Sequence, residues 1–109
     1  MKNRLLLELE NLRKSINRET INPRVPNHLE IKDLSPLISM VAEARANYIE
    51  ALLKLAETTQ GKAPEPAQLN QLRQYREIFE ELVTAVNALE TVIQREYLDV
   101  RSDKKPAAF

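Results

Sequence analysis

Four acidic residues in the last third of the chain have the types and spacing that can hold a divalent cation. Glu77 and Glu80 are three residues apart, and Glu96 and Asp99 repeat that step after fifteen intervening residues. Carboxylate oxygens are the ligands that magnesium prefers, and a bound magnesium ion can polarise a phosphate group. The chemistry to consider first is therefore metal-assisted phosphate chemistry.

This Glu-x-x-Glu and Glu-x-x-Asp pattern resembles the signature of the all-α nucleotide pyrophosphatases of the MazG-like family. The resemblance implies that the two pairs face each other from different helices and hold magnesium together. In this chain, however, the fifteen residues between the pairs carry no turn signal and keep a helical pattern. On one straight helix Glu77 and Asp99 would lie roughly 33 Å apart. We therefore assign no catalytic, metal-binding or cofactor-binding residue, and we expect no cofactor.

Two other groups of residues lack the partners that a reactive site needs. Glu43, Glu50 and Glu57 recur every seven residues, but no Glu-x-x-His step accompanies them, as one does in ferritin-like metal sites. His28 is the single histidine, and no serine, cysteine or carboxylate stands at a spacing that defines a catalytic set. We interpret the glutamates as a solvated helix face and His28 as a surface or capping residue.

A long amphipathic helix dominates the second half of the chain. Between residues 72 and 100, apolar residues recur at alternating steps of three and four. This is the heptad pattern of a helix packed lengthwise against other helices, as in a coiled coil. The predicted interaction and oligomer seam consists of Leu72, Tyr75, Phe79, Leu82, Val86, Leu89, Ile93 and Glu96.

Two charged residues stand within otherwise apolar rows. Glu96 belongs to the seam just described, and Arg45 belongs to an apolar row of the preceding helix. A polar residue in such a seam often fixes the register or the oligomeric state. If the two helices run antiparallel, Arg45 and Glu96 can meet, within one chain or between two. We expect this pair to specify pairing rather than catalysis.

The apolar periodicity and the residues that start and stop helices predict an all-α fold with three helices, at about 3–19, 36–60 and 66–100. Ser35 and Pro36 make a good helix start, and the single glycine, Gly61, makes a good stop. The short segment 61–67 then joins the last two helices in a long antiparallel αα-hairpin.

The first helix is expected to join this hairpin through a long extended crossover, residues 20–34. Pro23 and Pro26 disfavour helix at the residues before them, and the intervening apolar residues suggest a segment that lies along the bundle. Residues 1–100 are predicted to form a single helical-bundle domain. Residues 101–109 are polar and proline-broken, and we expect a flexible tail.

Composition narrows the choice of partners. Lysine plus arginine (16) balances aspartate plus glutamate (16), so no global field favours nucleic acid or a membrane surface. Residues 1–24 carry six basic and three acidic side chains, whereas residues 61–100 carry four and seven. The simplest use of this asymmetry is a basic first helix beside an acidic last helix. The chain has no cysteine, no long apolar run and no secretory-type start, so a cytoplasmic location is expected.

The predicted lengths of the helices suggest self-association. A third helix of roughly 50 Å cannot be covered by a second helix of about 37 Å, so a homo-oligomer, most simply a dimer, is expected to complete the bundle. The function expected is a non-enzymatic protein–protein interaction module that scaffolds, adapts or regulates an unidentified protein partner. Two alternatives stay open: a metal- or nucleotide-dependent enzyme with a site formed across subunits, and a nucleic-acid-associated protein that uses the basic N-terminal helix.

Overall fold

A computed structural model of the chain describes residues 2–25 and 29–99. Across this part of the chain it contains three α-helices and no strand, which confirms the predicted all-α class. By its internal contacts the chain divides into two units. The hairpin unit comprises Ser35–Asn87, and the terminal unit comprises the described residues up to Leu34 and from Ala88 onward.

Helix α1 spans Lys2–Ile21 and is two residues longer at its C-terminal end than the spacing predicted. A short 3-10 helix, Asn22–Arg24, follows it directly. Pro23 opens this turn, where its missing N–H costs nothing. The described parts of the predicted crossover are therefore mostly helical, and the prediction of an extended segment is wrong for residues 20–24 and 31–34. His28 and the predicted tail 101–109 lie outside the described residues.

Helix α2 spans Ile31–Thr59 and begins about one turn before the predicted start at Pro36. The Asp33 carboxylate accepts a hydrogen bond of 2.8 Å from the backbone N–H of Glu30. That bond is half of a capping box, and it satisfies a donor that the helix itself leaves free. Pro36 then lies inside the helix, in its second turn, where it removes one main-chain hydrogen bond.

Helix α3 spans Pro66–Gln94, and its start is the predicted one. Pro66 occupies the first helical position, and the Gln68 side chain accepts a bond of 2.8 Å from the backbone N–H of Glu65. Helices α2 and α3 pack together, as the predicted hairpin requires. Ala44 of α2 is only 5% exposed and is the most enclosed residue of the hairpin unit.

Both hairpin helices end in the same backbone motif. At the end of α2, Gln60 adopts a φ of 53° and the N–H of Gly61 bonds the carbonyl of Ala56 at 3.2 Å. At the end of α3, Glu96 adopts a φ of 60° and the N–H of Tyr97 bonds the carbonyl of Val92 at 2.9 Å. These are Schellman caps, in which a left-handed residue reverses the chain and satisfies free carbonyls.

The position of the second cap corrects the predicted end of the third helix. Glu96 lies in the reversing turn after α3 and is not a seam residue of the helix. The sequence held no warning, because the position is usually glycine or asparagine and glutamate rarely adopts this backbone. As a result α2 and α3 each contain 29 residues. The predicted mismatch in helix length, from which self-association was argued, is therefore wrong.

Candidate functional site

Helix α1 is amphipathic, but its apolar face is exposed to solvent and its polar face is partly covered. The residues of its C-terminal half that are partly covered lie on its polar face, and all but one of them are polar or charged. Because these positions recur at steps of one and three, they form one stripe along the helix. The stripe consists of Arg13, Lys14, Asn17, Arg18, Ile21 and Asn22.

The chain that follows α3 covers this polar stripe. Lys14 Nζ lies 2.8 Å from a carboxylate oxygen of Glu96, and Arg18 donates to both oxygens of Asp99, the shorter bond being 2.9 Å. Asn22 Nδ2 donates to the carbonyl of Tyr97 at 3.0 Å. We call these contacts between α1 and residues 96–99 the polar clamp. They join the basic first helix to two acidic residues that follow α3, whereas the sequence predicted that the acidic partner would be the last helix itself.

The clamp fixes the backbone of the second Schellman cap as well as its side chains. Arg18 also donates to the main-chain carbonyl of Glu96, the residue with positive φ. Next to it, Tyr97 and Leu98 are the two most enclosed residues of the terminal unit, at 6% and 5% exposure. A strained backbone persists only where surrounding contacts hold it, and here two cations of α1, Lys14 and Arg18, each contact Glu96.

Charge within the clamp favours the ionised carboxylates. The pKa of Glu96 lies below its ordinary value, first because Lys14 donates a hydrogen bond to the carboxylate and then because of the charge of Lys14. The pKa of Asp99 is lowered in the same way by the hydrogen bond and the charge of Arg18. The two carboxylates are exposed and the two cations are only half-buried, so the pairs position the segment more than they stabilise it.

The apolar face of α1 lies on the other side of the helix and is open to water. Leu5, Leu9, Leu12 and Ile16 are 67%, 45%, 56% and 54% exposed. At about 100° per residue, this face points roughly 160° away from the centre of the polar stripe. We call these four residues the α1 apolar face. Monomeric proteins seldom leave such a continuous row in water, so this row is the strongest candidate for a binding surface.

Helix α2 carries a second apolar row that is open to solvent. Its inward row contributes Val41, Ala44 and Tyr48, which are buried or half-buried. The neighbouring row, offset by one residue, is exposed and contains Ile38, Ala42, Ile49 and Ala56. Two adjacent apolar rows on one helix need more than one partner helix. Helix α3 is the partner of the first row, through the contact of Tyr48 with Phe79.

The predicted seam of α3 is half-covered along its length. The seven apolar seam residues are all half-buried. Phe79, at its centre, lies 6.2 Å from the Tyr48 ring of α2, measured between centroids. The guanidinium carbon of Arg45 lies 5.2 Å from the Phe79 ring centroid, in cation–π range. In the hairpin unit Phe79 contacts Tyr48 and Arg45 of α2, whereas the predicted role of the seam between subunits stays a prediction.

Arg45 and Glu96, the two charges predicted to pair, each have another partner in their own unit. Arg45 lies over Phe79, and Glu96 accepts from Lys14. A pair between Arg45 and Glu96 of two subunits stays a prediction. The clamp residues Lys14, Arg18, Asn22 and Asp99 were not predicted individually. Their one signal in the sequence was the opposite charge of the two ends of the chain.

The four acidic residues with metal-type spacing have ordinary protein partners or lie in solvent. Glu80 pairs with Arg76 one turn earlier at 3.7 Å, while Glu96 and Asp99 belong to the polar clamp. Within the described residues, no three histidine, cysteine or acidic side chains are grouped to hold a metal ion. A groove of about 370 Å³ between α2 and α3, lined by polar and apolar side chains alike, contains the Glu50–Lys54 ion pair and Tyr75.

Comparison with known proteins gives no match. No family model matches the chain, and neither a curated protein nor a solved structure matches it. None of the helices in the described part of the chain is long and apolar enough to cross a membrane.

Proposed function

We propose that the chain is a non-enzymatic, homo-oligomeric helical module that binds a protein partner as a scaffold, adaptor or regulator. The observation that carries the proposal is the inverted exposure of α1, whose polar face is covered while its apolar face is open. A helix of this kind is complete only when another apolar surface lies against it. The cytoplasmic location expected from the sequence stays a prediction.

The size of the hydrophobic effect supports this reading. Fully burying a leucine or isoleucine side chain contributes roughly 1.5–3 kcal/mol, so covering the exposed half of each contributes roughly 1 kcal/mol. Covering the four such side chains on α1 would therefore contribute several kcal/mol of binding free energy that the isolated chain does not gain. The exposed row of α2 adds Ile38 and Ile49 to this reserve. Both surfaces are helical and elongated, which suits a partner that is itself a helix.

Molecular mass in solution tests the oligomer. Light scattering coupled to gel filtration, over a concentration series in the micromolar range, is expected to show a species of twice the chain mass of 12.6 kDa. A mass of one chain at every concentration would contradict the homo-oligomer. Co-purification from the native host then identifies the protein partner. Recovery of the same partner by a variant with polar residues in place of Ile38 and Ile49 would contradict a role for the exposed row of α2 in partner binding.

The enzyme alternative has its own test. A thermal-shift screen with divalent cations and nucleotides detects a site that forms across subunits, because a ligand that binds the folded state raises the melting temperature. We expect no shift with magnesium, manganese or nucleoside triphosphates. A shift of several degrees that disappears on Glu77→Gln and Glu80→Gln would favour the enzyme. Arg73→Gln, a charge change on the same helix, is the matched control.

The nucleic-acid alternative is weakened by the polar clamp. Two of the basic side chains in the N-terminal segment, Lys14 and Arg18, are paired with Glu96 and Asp99. A surface that binds a phosphate backbone needs unpaired cations, and binding then falls steeply with salt. A gel shift at low and moderate salt, with Arg13, Lys14 and Arg18 changed to Glu as the comparison, is expected to show no difference in binding.

A further inference from the structure

We infer that the surface that covers the α1 apolar face is the same face of a second copy, in a parallel two-stranded coiled coil. This inference rests on the proposed homo-oligomer and assigns its interface to α1. The interface proposed from the sequence lay on α3, but that seam is already half-buried in the hairpin unit. The face on α1 has no comparable cover.

The spacing of the apolar face fits a coiled-coil seam. Leu5, Leu9, Leu12 and Ile16 are separated by four, three and four residues, which places them at alternating d and a positions of two heptads. Leucine at both d positions and isoleucine at the second a position favour two parallel strands over three or four. Leu6, 58% exposed, borders the seam at an e position and widens it.

The charges beside the seam select the parallel orientation. Glu8 falls at a g position on one side of the seam, and Arg13 falls at the following e position on the other side. In a parallel dimer, residues at g contact residues at e of the next heptad in the partner helix. Glu8 of each copy therefore meets Arg13 of the other, which gives two opposite-charge pairs related by the two-fold axis.

An antiparallel arrangement loses this complementarity. It brings g positions against g positions, so that Glu8 approaches the partner's Glu8 or Ser15, and it brings Arg13 towards the partner's Leu6. The present partners of the two charges do not oppose the rearrangement. Glu8 pairs with Arg4 at 3.7 Å and Arg13 pairs with Glu10, and both contacts are exposed pairs within α1.

The polar clamp prepares α1 for this role without blocking it. Lys14, Arg18 and Asn22 hold the C-terminal half of α1 from the opposite side of the helix. An isolated helix of this length is marginal in water, so a helix that is already held in place loses less entropy on pairing. Two copies can thus join through α1 while each keeps its own clamp.

The first test changes the seam. Leu12→Glu places a charge in the seam and is expected to raise the dimer dissociation constant at least tenfold, measured by sedimentation over a concentration series. Leu7→Glu is the matched control, because Leu7 is on the same helix and is 62% exposed, but it lies on the far side. We expect Leu7→Glu to leave the dimer unchanged. Equal effects of the two variants would overturn the assignment.

The second test uses charge and does not depend on whether the seam variant folds. Glu8→Arg alone and Arg13→Glu alone each place like charges across the seam, so each is expected to weaken its own dimer severalfold. Mixed in equal amounts, the two variants restore opposite charges at both contacts and are expected to form a heterodimer. Tagged copies and native mass spectrometry measure it. A statistical mixture, with no preference for the heterodimer, would overturn the parallel coiled coil.

The outcomes separate this inference from the proposed function. If the wild-type chain is a monomer at all concentrations, both the homo-oligomer and the α1 interface are wrong. If the wild-type chain is a dimer but Leu12→Glu and the charge variants leave it intact, the homo-oligomer stands and the α1 interface is wrong. The α3 seam is then the next candidate, and Arg45→Leu tests it by the same sedimentation measurement.

Discussion

The first helix and the hairpin carry the same kind of apolar stripe and treat it in opposite ways. In the hairpin unit, Phe79 and its neighbours on α3 are half-buried against α2. In the terminal unit, the row from Leu5 to Ile16 is exposed, and it is the basic side of α1 that the chain covers. A heptad pattern therefore says that a helix needs a partner, but it does not say whether that partner belongs to the same chain.

The difference has a simple covalent origin. Helices α2 and α3 have equal lengths and are joined by a six-residue turn, which brings them together as neighbours in the chain. Helix α1 and the turn that follows it instead meet the short segment 96–99, which offers two carboxylates and two main-chain carbonyls. Polar contacts decide which side of α1 faces the chain, and the apolar side is left for another molecule.

Phe79→Ala is expected to produce the largest loss of stability, because it removes the centre of the hairpin stripe. The ring contacts Tyr48 and underlies Arg45. Deleting a buried phenylalanine costs about 3–5 kcal/mol, and for a half-buried ring we expect about 3 kcal/mol in urea unfolding. Ile78→Ala, at an exposed neighbouring position, is the control, with about 0.5 kcal/mol. Equal losses would mean that the stripe is not the hairpin core.

Ala44→Leu tests the same contact by adding volume where α2 and α3 approach. Ala44 is the most enclosed residue of the hairpin unit, so the larger side chain has to displace its neighbours. Overpacking of this kind costs about 1–3 kcal/mol, and we expect about 2 kcal/mol in the same unfolding measurement. Ala42→Leu, on the exposed row of the same helix, should cost nothing. A neutral Ala44→Leu would show that the helices are further apart.

The polar clamp is expected to respond to acid. Because the pKa values of Glu96 and Asp99 are lowered in the folded chain, folding favours their ionised forms. The contribution of each is complete above its ordinary pKa, 4.5 for Glu96 and 3.8 for Asp99, and is lost as the pH falls through the lowered value. Carboxyl carbon shifts in an NMR titration follow both groups directly.

Substitutions in α1 assign each midpoint to its cause. Lys14→Gln should move the midpoint of Glu96 upward, and Arg18→Gln should move that of Asp99 upward, since each variant removes the first cause of the shift. Arg76→Gln removes the pair with Glu80 in the hairpin unit and should leave both midpoints in place. Midpoints that do not move in either α1 variant would show that α1 does not hold residues 96–99 in solution.

The sequence was sufficient for the hairpin because its signals are local. Apolar periodicity, Pro66 at the start of α3 and Gly61 near the end of α2 each act within one turn of the chain. The clamp joins residues about 80 positions apart, and opposite net charge at the two ends indicated only that such a contact was favourable. The end of α3 could not be predicted, since Glu96 adopts a backbone that its side chain disfavours.

The two Schellman caps compare the same backbone turn in the hairpin unit and in the terminal unit. Gln60 and Glu96 occupy the same left-handed position, but only Glu96 is held there by α1. Gln60→Gly relieves the backbone and is expected to stabilise the chain by about 0.5–1 kcal/mol. Glu96→Gly gains the same relief but loses the bond to Lys14, so its net gain should be smaller.

Lys14→Gln completes the comparison as a double-mutant cycle. In that background Glu96 has already lost its partner, so Glu96→Gly should now stabilise the chain as much as Gln60→Gly does. The gain from Gln60→Gly should be the same with and without Lys14, because that cap lies in the hairpin unit. If Glu96→Gly stabilises equally in both backgrounds, the clamp does not support the left-handed turn. A gain that appears only without Lys14 shows that α1 sets where α3 ends.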